Sequence, residues 1–397
     1  MAQLDFQAFD ADNHYYEATD AFTRHIEPRF QKRCMQWAQL DGKTRLLVGG
    51  KVNRFIPNPT FDPVSKPGVL DQFYRGKNPD AASVREIFGE LEPINPAYRK
   101  REERLPVMDA QGLESAFLFP TLGVGMEQAL SEDPPAVMAA FRAFNRWLEE
   151  DWGYNYQNRL YGAPYLSMVL VDEAVVELER ILAQDVHLIV MRAAPVYTPE
   201  GPKSPADPIF DPIWARINEA GVAVASHGGD GGYGRYTADW GEGGETEAFR
   251  TSPFQSLLGS RNAYDMMAAL ISHRLFERFP NLRIASVEMG SNWVPYLFQN
   301  LERAWGQTPK SFAENPMDTF RRHIWVSPFH EDDVPKLRDL LGADRLLMGS
   351  DWPHAEGLAE PIDYIDELVG FSDEEIRKVM RENALELSTP RPASAAA

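Results

Sequence analysis

The chain has 397 residues, 44% of them hydrophobic, enough for a large core and too many for an extended disordered protein. Its 59 acidic residues outnumber 40 basic ones, and the net charge of -19 argues against a general binder of nucleic acid or membrane surfaces. A single cysteine, Cys34, excludes an intrachain disulfide and thiolate-rich zinc sites and fits a reducing cytoplasm.

The first residues, MAQLDFQAFDADNHYYE, carry early charges and no apolar signal-peptide core, and no apolar run approaches the length of a membrane span. A cytoplasmic protein is the expectation. In chain order, eight segments read as strands: Phe6–Ala11, Glu114–Phe119, Leu160–Leu170, His187–Arg192, Val222–Ser226, Arg283–Val287, His323–Ser327 and Arg345–Gly349. Several, such as VAVAS and LIVM, are continuous apolar runs, as strands buried on both faces require. Between them Ala174–Gln184, Pro208–Ala220, Tyr264–Phe279 and Val334–Leu341 repeat apolar residues at helical spacing.

Strand and helix alternating eight times predict an α/β fold, a closed (β/α)8 TIM barrel. An open doubly wound sheet is the alternative, weakened because no Gly-x-Gly-x-x-Gly turn follows the first strand. Residues from about 18 to 105 are far more than one crossover needs, and they read as an insertion that caps the barrel. Within it, TRLLVGGKVNRFI predicts a hairpin turning at Gly49-Gly50. A glycine-rich stretch after the fifth strand, HGGDGGYGRYTADWGEGGE, reads as a lid or, equally, as an exposed loop. Residues 1–390 are expected to form one metal-dependent domain and 391–397 a disordered tail.

Catalytic groups of such barrels lie at the C-terminal ends of strands. Asp12 and His14 follow the first strand two residues apart, so an extended chain points both the same way. His227 ends the fifth strand, Glu288 the sixth and Asp351 the eighth. Taken singly, Asp12 caps a turn and each histidine is an ordinary loop residue. Their coincidence at one rim is what those separate readings do not predict. Nitrogen and carboxylate ligands suit zinc, iron or manganese. His187 and His323 begin their strands and belong to the opposite, structural rim, and His25 lies in the insertion. Trp352, Tyr15 and Tyr16 either wall an apolar pocket or simply pack. Arg99, Lys100, Arg101 and Arg104 form a basic run, read as a solvated helix face or as a contact for the phosphates of a CoA group.

DADNH, ASHGG, FERFPNLRIASVEMGS, GSDWPH and KVMRENALEL together resemble the amidohydrolase-related family that includes aminocarboxymuconate-semialdehyde decarboxylase and the dihydroxybenzoate decarboxylases. Asp12 stands where that family usually has His or Glu, and Glu288 where its decarboxylases usually have a proton-handling His. With His273, His330 and His354 there are more candidate ligands than one metal needs. That surplus resembles a subgroup, the TIM-barrel nonheme diiron monooxygenase of platensimycin and platencin biosynthesis and its relatives. This resemblance implies two iron ions held by Asp12, His14, His227, His273, Glu288 and Asp351, with His330 and His354 supporting them. It also implies dioxygen and an apolar, diterpenoid-like small-molecule substrate, as a CoA thioester in some relatives. A homodimer is the default assembly. The alternative is a nonoxidative decarboxylase or hydrolase of a carboxylate substrate with one zinc or manganese, in which Glu288 or Asp351 moves the proton.

Overall fold

A computed structural model of the chain describes residues 4–244, 247–249, 252–329 and 332–393. The first barrel strand, Ala8–Tyr15, pairs in parallel with the second, Leu113–Pro120, which pairs with the third, Leu160–Gly162. The fourth to seventh strands, Leu188–Arg192, Ala223–His227, Ile284–Val287 and Ile324–Val326, form a second parallel run. Short contacts join the runs into a ring. The Leu166 amide donates to Val190 O and the Val190 amide to Pro164 O. At the other seam the Leu347 amide donates to Val326 O, the Ala11 amide to Met348 O and the His14 amide to Trp352 O. Residues 346–352 are therefore the eighth stave, bridged on both sides, and the barrel is closed.

The first strand runs four residues past the expected Ala11, so Asp12 and His14 lie within it. The expected helix Tyr264–Phe279 is broken into Arg261–Ser272 and Leu275–Arg278, with Arg274 in the left-handed region at φ 60°. In the insertion, Lys43–Val48 and Lys51–Val52 form the expected hairpin, joined by Gly49 and Gly50 at φ 59° and 76°, values that glycine adopts without strain. A further strand, Met35–Leu40, pairs on its other side. Of the expected disordered tail, residues 391–393 are tied to the barrel floor: the Arg391 amide donates to Gly221 O and the Ala393 amide to Glu219 O. Residues 394–397 lie outside the described residues. His187 and His323 do sit on that floor, His323 Nδ1 lying 2.8 Å from Leu282 O. No helix among the described residues is long and apolar enough to cross a membrane.

Gly349, on the eighth stave, is where the barrel wall meets the site. A Cβ there would stand 2.4 Å from Ser327 Oγ and 2.6 Å from Asp12 Cβ. Gly349→Ala is expected to lower stability by roughly 1–3 kcal/mol and to displace Asp12. Thermal unfolding and metal content of the variant measure both effects, and wild-type values for both would refute the packing argument.

Candidate metal centre

The first strand carries a register shift between Asp10 and Asn13, a local bulge. Asp10 stabilises it. Its carboxylate accepts from the Asp12 amide (3.1 Å), Asn13 Nδ2 (2.9 Å), the Ser350 amide (3.0 Å) and Ser350 Oγ (2.5 Å). One buried acid thus ties the first strand to the eighth. From the outer side fully buried Arg104 donates to His14 O (2.7 Å), Ala97 O (2.7 Å) and Asn13 Oδ1, and lies 4.7 Å from the Trp352 ring centroid. Burial pulls the Arg104 guanidinium down to about 9. Arg99 donates to Thr60 O and Arg101 pairs with Glu102. Of the four cations of this run Lys100 is exposed, Arg99 and Arg101 are half-buried and Arg104 is buried.

On this support four side chains converge. His14 Nε2 lies 3.3 Å from Asp12 Oδ1 and 3.4 Å from Glu288 Oε2, and His227 Nε2 lies 3.6 Å and 3.2 Å from the same two oxygens. Asp351 Oδ1 is 3.3 Å from His14 Nε2. Two donors bound to one ion at about 2.1 Å, at angles between square and tetrahedral, stand about 3.0–3.4 Å apart. His14 Nε2, His227 Nε2 and Asp12 Oδ1 are buried without a hydrogen-bond partner, a costly state that a cation relieves. His227 Nδ1 lies 2.8 Å from Gly228 O, which accepts its proton and leaves Nε2 as the lone pair facing the site. The residues fit a divalent cation. Glu288 and Asp351 both hold φ above zero, at 53° and 57°, a strained conformation that clusters at functional sites.

His354 joins from the loop after the eighth stave. The Thr121 hydroxyl donates to Tyr15 O at 2.8 Å, so its oxygen accepts from His354 Nε2 at 2.9 Å. His354 Nδ1 then faces Asp351 Oδ1 at 2.6 Å, lone pair to lone pair, and something positive must lie between them. In the metal-free chain, burial and the neighbouring Glu288, Glu356 and Asp12 hold the Asp351 carboxyl well above its usual range, and there it supplies that proton. Burial, then His14 and His227, hold His354 well below its usual value.

The sequence reading placed His273 among the ligands; the structure does not bring it there. His273 is exposed at the end of a helix, with Nδ1 2.7 Å from Ser204 Oγ, because the helix points it away from the barrel mouth. His330 lies outside the described residues. Sequence reasoning missed Glu356, which groups with Glu288, Asp351 and His354. The alternation Asp351, His354, Glu356 around Pro353 in the eighth-stave loop was the available signal. It also missed Thr121, an uncharged residue that fixes the His354 tautomer. Tyr16 does line the cavity, whereas Tyr15 and Trp352 pack in the core against Trp152 and Tyr98.

Titration of these groups has a measurable consequence. Burial raises the Glu17 carboxyl from 4.5 to about 7 and the Asp10 carboxyl from 3.8 to about 6. Burial alone would lower His14, but Asp12 and Glu288 outweigh it and push the imidazole up to about 10. In each case the folded chain keeps its proton to higher pH than the unfolded chain. Stability is therefore fully present below the unfolded values and lost as pH rises through the folded ones. Metal-free protein is expected to unfold at lower temperature at about pH 8.5 than at about pH 5.5, while the increment from added Mn2+ grows because the ion replaces protons. Scanning fluorimetry with chelator and with Mn2+ measures both, and a metal increment that shrinks with pH would sink the assignment.

Above these groups lies a cavity of about 480 Å3, within the range of small-molecule sites. His14, Glu288, His354 and Glu356 line it together with Phe55, Phe61 and Phe88 of the insertion. Gly229 of the glycine-rich stretch also lines the cavity, and so do Glu247, Ala248 and Phe249 just after it; the Ala248 amide donates to Phe55 O at 2.8 Å and Phe249 meets Phe88 edge-on at 5.3 Å.

Comparison with known proteins places this geometry. The profile of the family described as Amidohydrolase matches residues 91–387. A crystal structure of an amidohydrolase from Mycobacterium avium subsp. paratuberculosis is 42% identical, covering 98% of this chain and 100% of that one with a TM-score of 0.92. The 2-amino-3-carboxymuconate-6-semialdehyde decarboxylase of Dictyostelium discoideum is 24% identical over 238 residues, 57% of this chain, and the match spans 60% of that relative's length. A dihydroxybenzoic acid decarboxylase from Polaromonas, solved with bound manganese and the inhibitor 2-nitroresorcinol, shares the fold. Its TM-score is 0.57 at 21% identity, over 82% of this chain and 96% of that one.

Proposed function

The chain belongs to the amidohydrolase family, and on that premise we propose that it is a divalent-metal, nonoxidative decarboxylase acting on a largely apolar substrate. Asp12, His14, His227 and Glu288 hold the ion, manganese or zinc. The bound ion supplies Lewis acidity and neutralises the carboxylate to be lost. The cavity's described lining contains no lysine or arginine that would do so.

One observation carries the reading. The donors of the four-residue group stand 3.2–3.6 Å apart, a spacing for ligands, whereas Asp351 and His354 stand 2.6 Å apart, a spacing for a shared proton. An acid that keeps its proton is suited to give it. As the carbon–carboxyl bond breaks, its electron pair stays on carbon and takes the Asp351 proton, and carbon dioxide leaves. Asp351 then regains its proton from solvent. Hydrolysis needs a base at this place, and a carboxyl held protonated serves it less well.

A second reading has its own support. Glu288, Asp351, His354 and Glu356 form another group whose donor atoms lie within 4.8 Å, sharing Glu288 with the first. If each group held an iron ion, with Glu288 common to both, the pair would supply the oxygen chemistry of an oxygenase. Incubation of the Mn2+ protein with a panel of apolar and aromatic carboxylic acids under nitrogen separates the two. Carbon dioxide release without oxygen is the expected result. Two irons per chain, with oxygen uptake and no anaerobic turnover, would replace it with the oxygenase.

A further inference from the structure

The cavity and the space beside it differ in charge. The ionisable described walls of the cavity are Glu247, Glu288 and Glu356 with His14 and His354. Beyond Phe55, which lines both spaces, lies a smaller hollow of about 190 Å3 whose charged walls are Lys51, Arg54 and Arg235 against the single acid Asp230. In a chain with a net charge of -19, three cations converging on one hollow run against the surrounding field. They come from two unrelated segments. Lys51 and Arg54 belong to the insertion hairpin, and Arg235 to the glycine-rich loop after the fifth strand.

Among the described residues none of the three meets a close carboxylate. Lys51 lies 3.7 Å from Glu132 with both side chains more than four-fifths exposed, a pair of little strength. The Arg235 guanidinium lies 4.7 Å from the Tyr197 ring centroid, which orients it without cancelling its charge. Arg54 stands 3.9 Å from Glu247, so a loose pair runs from a wall of the hollow to a wall of the cavity. Gly125, Gly232, Gly234 and Gly244 make up much of the rest, leaving room beside the charges.

We propose that the substrate is bipartite: its apolar body fills the cavity, and an anionic group at its far end lies in the hollow between Lys51, Arg54 and Arg235. Phe55 lines both spaces, so an anion at the far end of the apolar body is accepted one side chain beyond the cavity. The inference concerns binding and does not depend on which reaction the metal end performs.

Titrations of decyl phosphate, 1-decanol and inorganic phosphate into the full-length protein test it, with metal and after chelation, at low salt. Decyl phosphate is expected to bind at least about tenfold more tightly than 1-decanol in both states, and inorganic phosphate alone far more weakly than either. The preference should narrow with added salt. Arg54→Glu with Arg235→Glu should bring decyl phosphate to within about twofold of 1-decanol while leaving 1-decanol unchanged, and Lys51→Glu alone should give part of that loss. Equal binding of the two amphiphiles by the wild type overturns the proposal. So does a preference that survives the double variant or disappears on chelation, either of which places the anion on the metal. Inorganic phosphate binding as tightly as decyl phosphate makes the hollow a site for a separate anion and also overturns it.

Discussion

Replacing His227 by alanine is expected to strip the divalent ion and to lower turnover by roughly a thousandfold or more, since a ligand counts for more than the supporting groups whose loss already costs 10–100-fold. The imidazole ends the fifth strand, fully enclosed, and its Nδ1–H is spent on Gly228 O, so only Nε2 can serve the site. That atom is 3.2 Å from Glu288 and 3.6 Å from Asp12. Without it, one imidazole and two carboxylates remain, and the carboxylates repel each other. Alanine leaves the strand ladder with Arg192 and Val287 intact, so the metal-free variant should unfold close to the metal-free wild type. Elemental analysis and turnover measure the effect, and a variant that keeps its metal in full would remove His227 from the ligand set.

Asp351→Asn is expected to separate metal binding from proton transfer. Asparagine tolerates the φ of 57° at this position better than most residues, so the loop should hold its shape. The four-atom group of Asp12, His14, His227 and Glu288 is untouched, and the variant should still bind one ion, about tenfold more weakly at most. Turnover should fall by about 10²–10⁴, the usual worth of a positioned acid. The metal-free protein should gain stability, because a carboxyl buried beside Glu288, Glu356, Asp12 and Asp10 is replaced by a group that cannot ionise. Loss of metal as complete as in His227→Ala would make Asp351 a ligand instead and leave the proton to Glu288.

The barrel was legible in the sequence because a parallel strand buried on both faces is a nearly unbroken apolar run. VAVAS and LIVM coincide with the fifth and fourth strands to within a residue. The first strand was read four residues short for the converse reason. Its last residues, Asp12 to Tyr15, are four polar or ionisable groups, and Asp10 and Arg104 satisfy only the Asp12 amide, the Asn13 side chain and the His14 carbonyl. Part of that support is distant, Arg104 lying 90 and 91 positions from His14 and Asn13, and it leaves no local periodicity. The same limit explains His273. Its place in the chain suggested a ligand near the sixth strand, but the helix ending there turns its side chain outward to Ser204. Glu356 was overlooked because it follows the metal motif in a loop, where spacing says little about direction. The candidate metal ligands were readable as strand-end groups, since the fold alone dictates which rim they share. Whether Asp351 binds the ion or holds a proton was not readable. It turns on a difference between 2.6 and 3.3 Å, from Asp351 Oδ1 to His354 and to His14.

The claim on which the account stands is one divalent ion held by His14, His227, Asp12 and Glu288 at the floor of the apolar cavity. Calorimetric titration of Mn2+ into chelated, full-length protein under nitrogen tests it most directly, with His14→Ala as control. The account predicts a single equivalent bound with release of protons, and no binding by the variant. Undiminished binding by the variant, or no binding by the wild type, would contradict it.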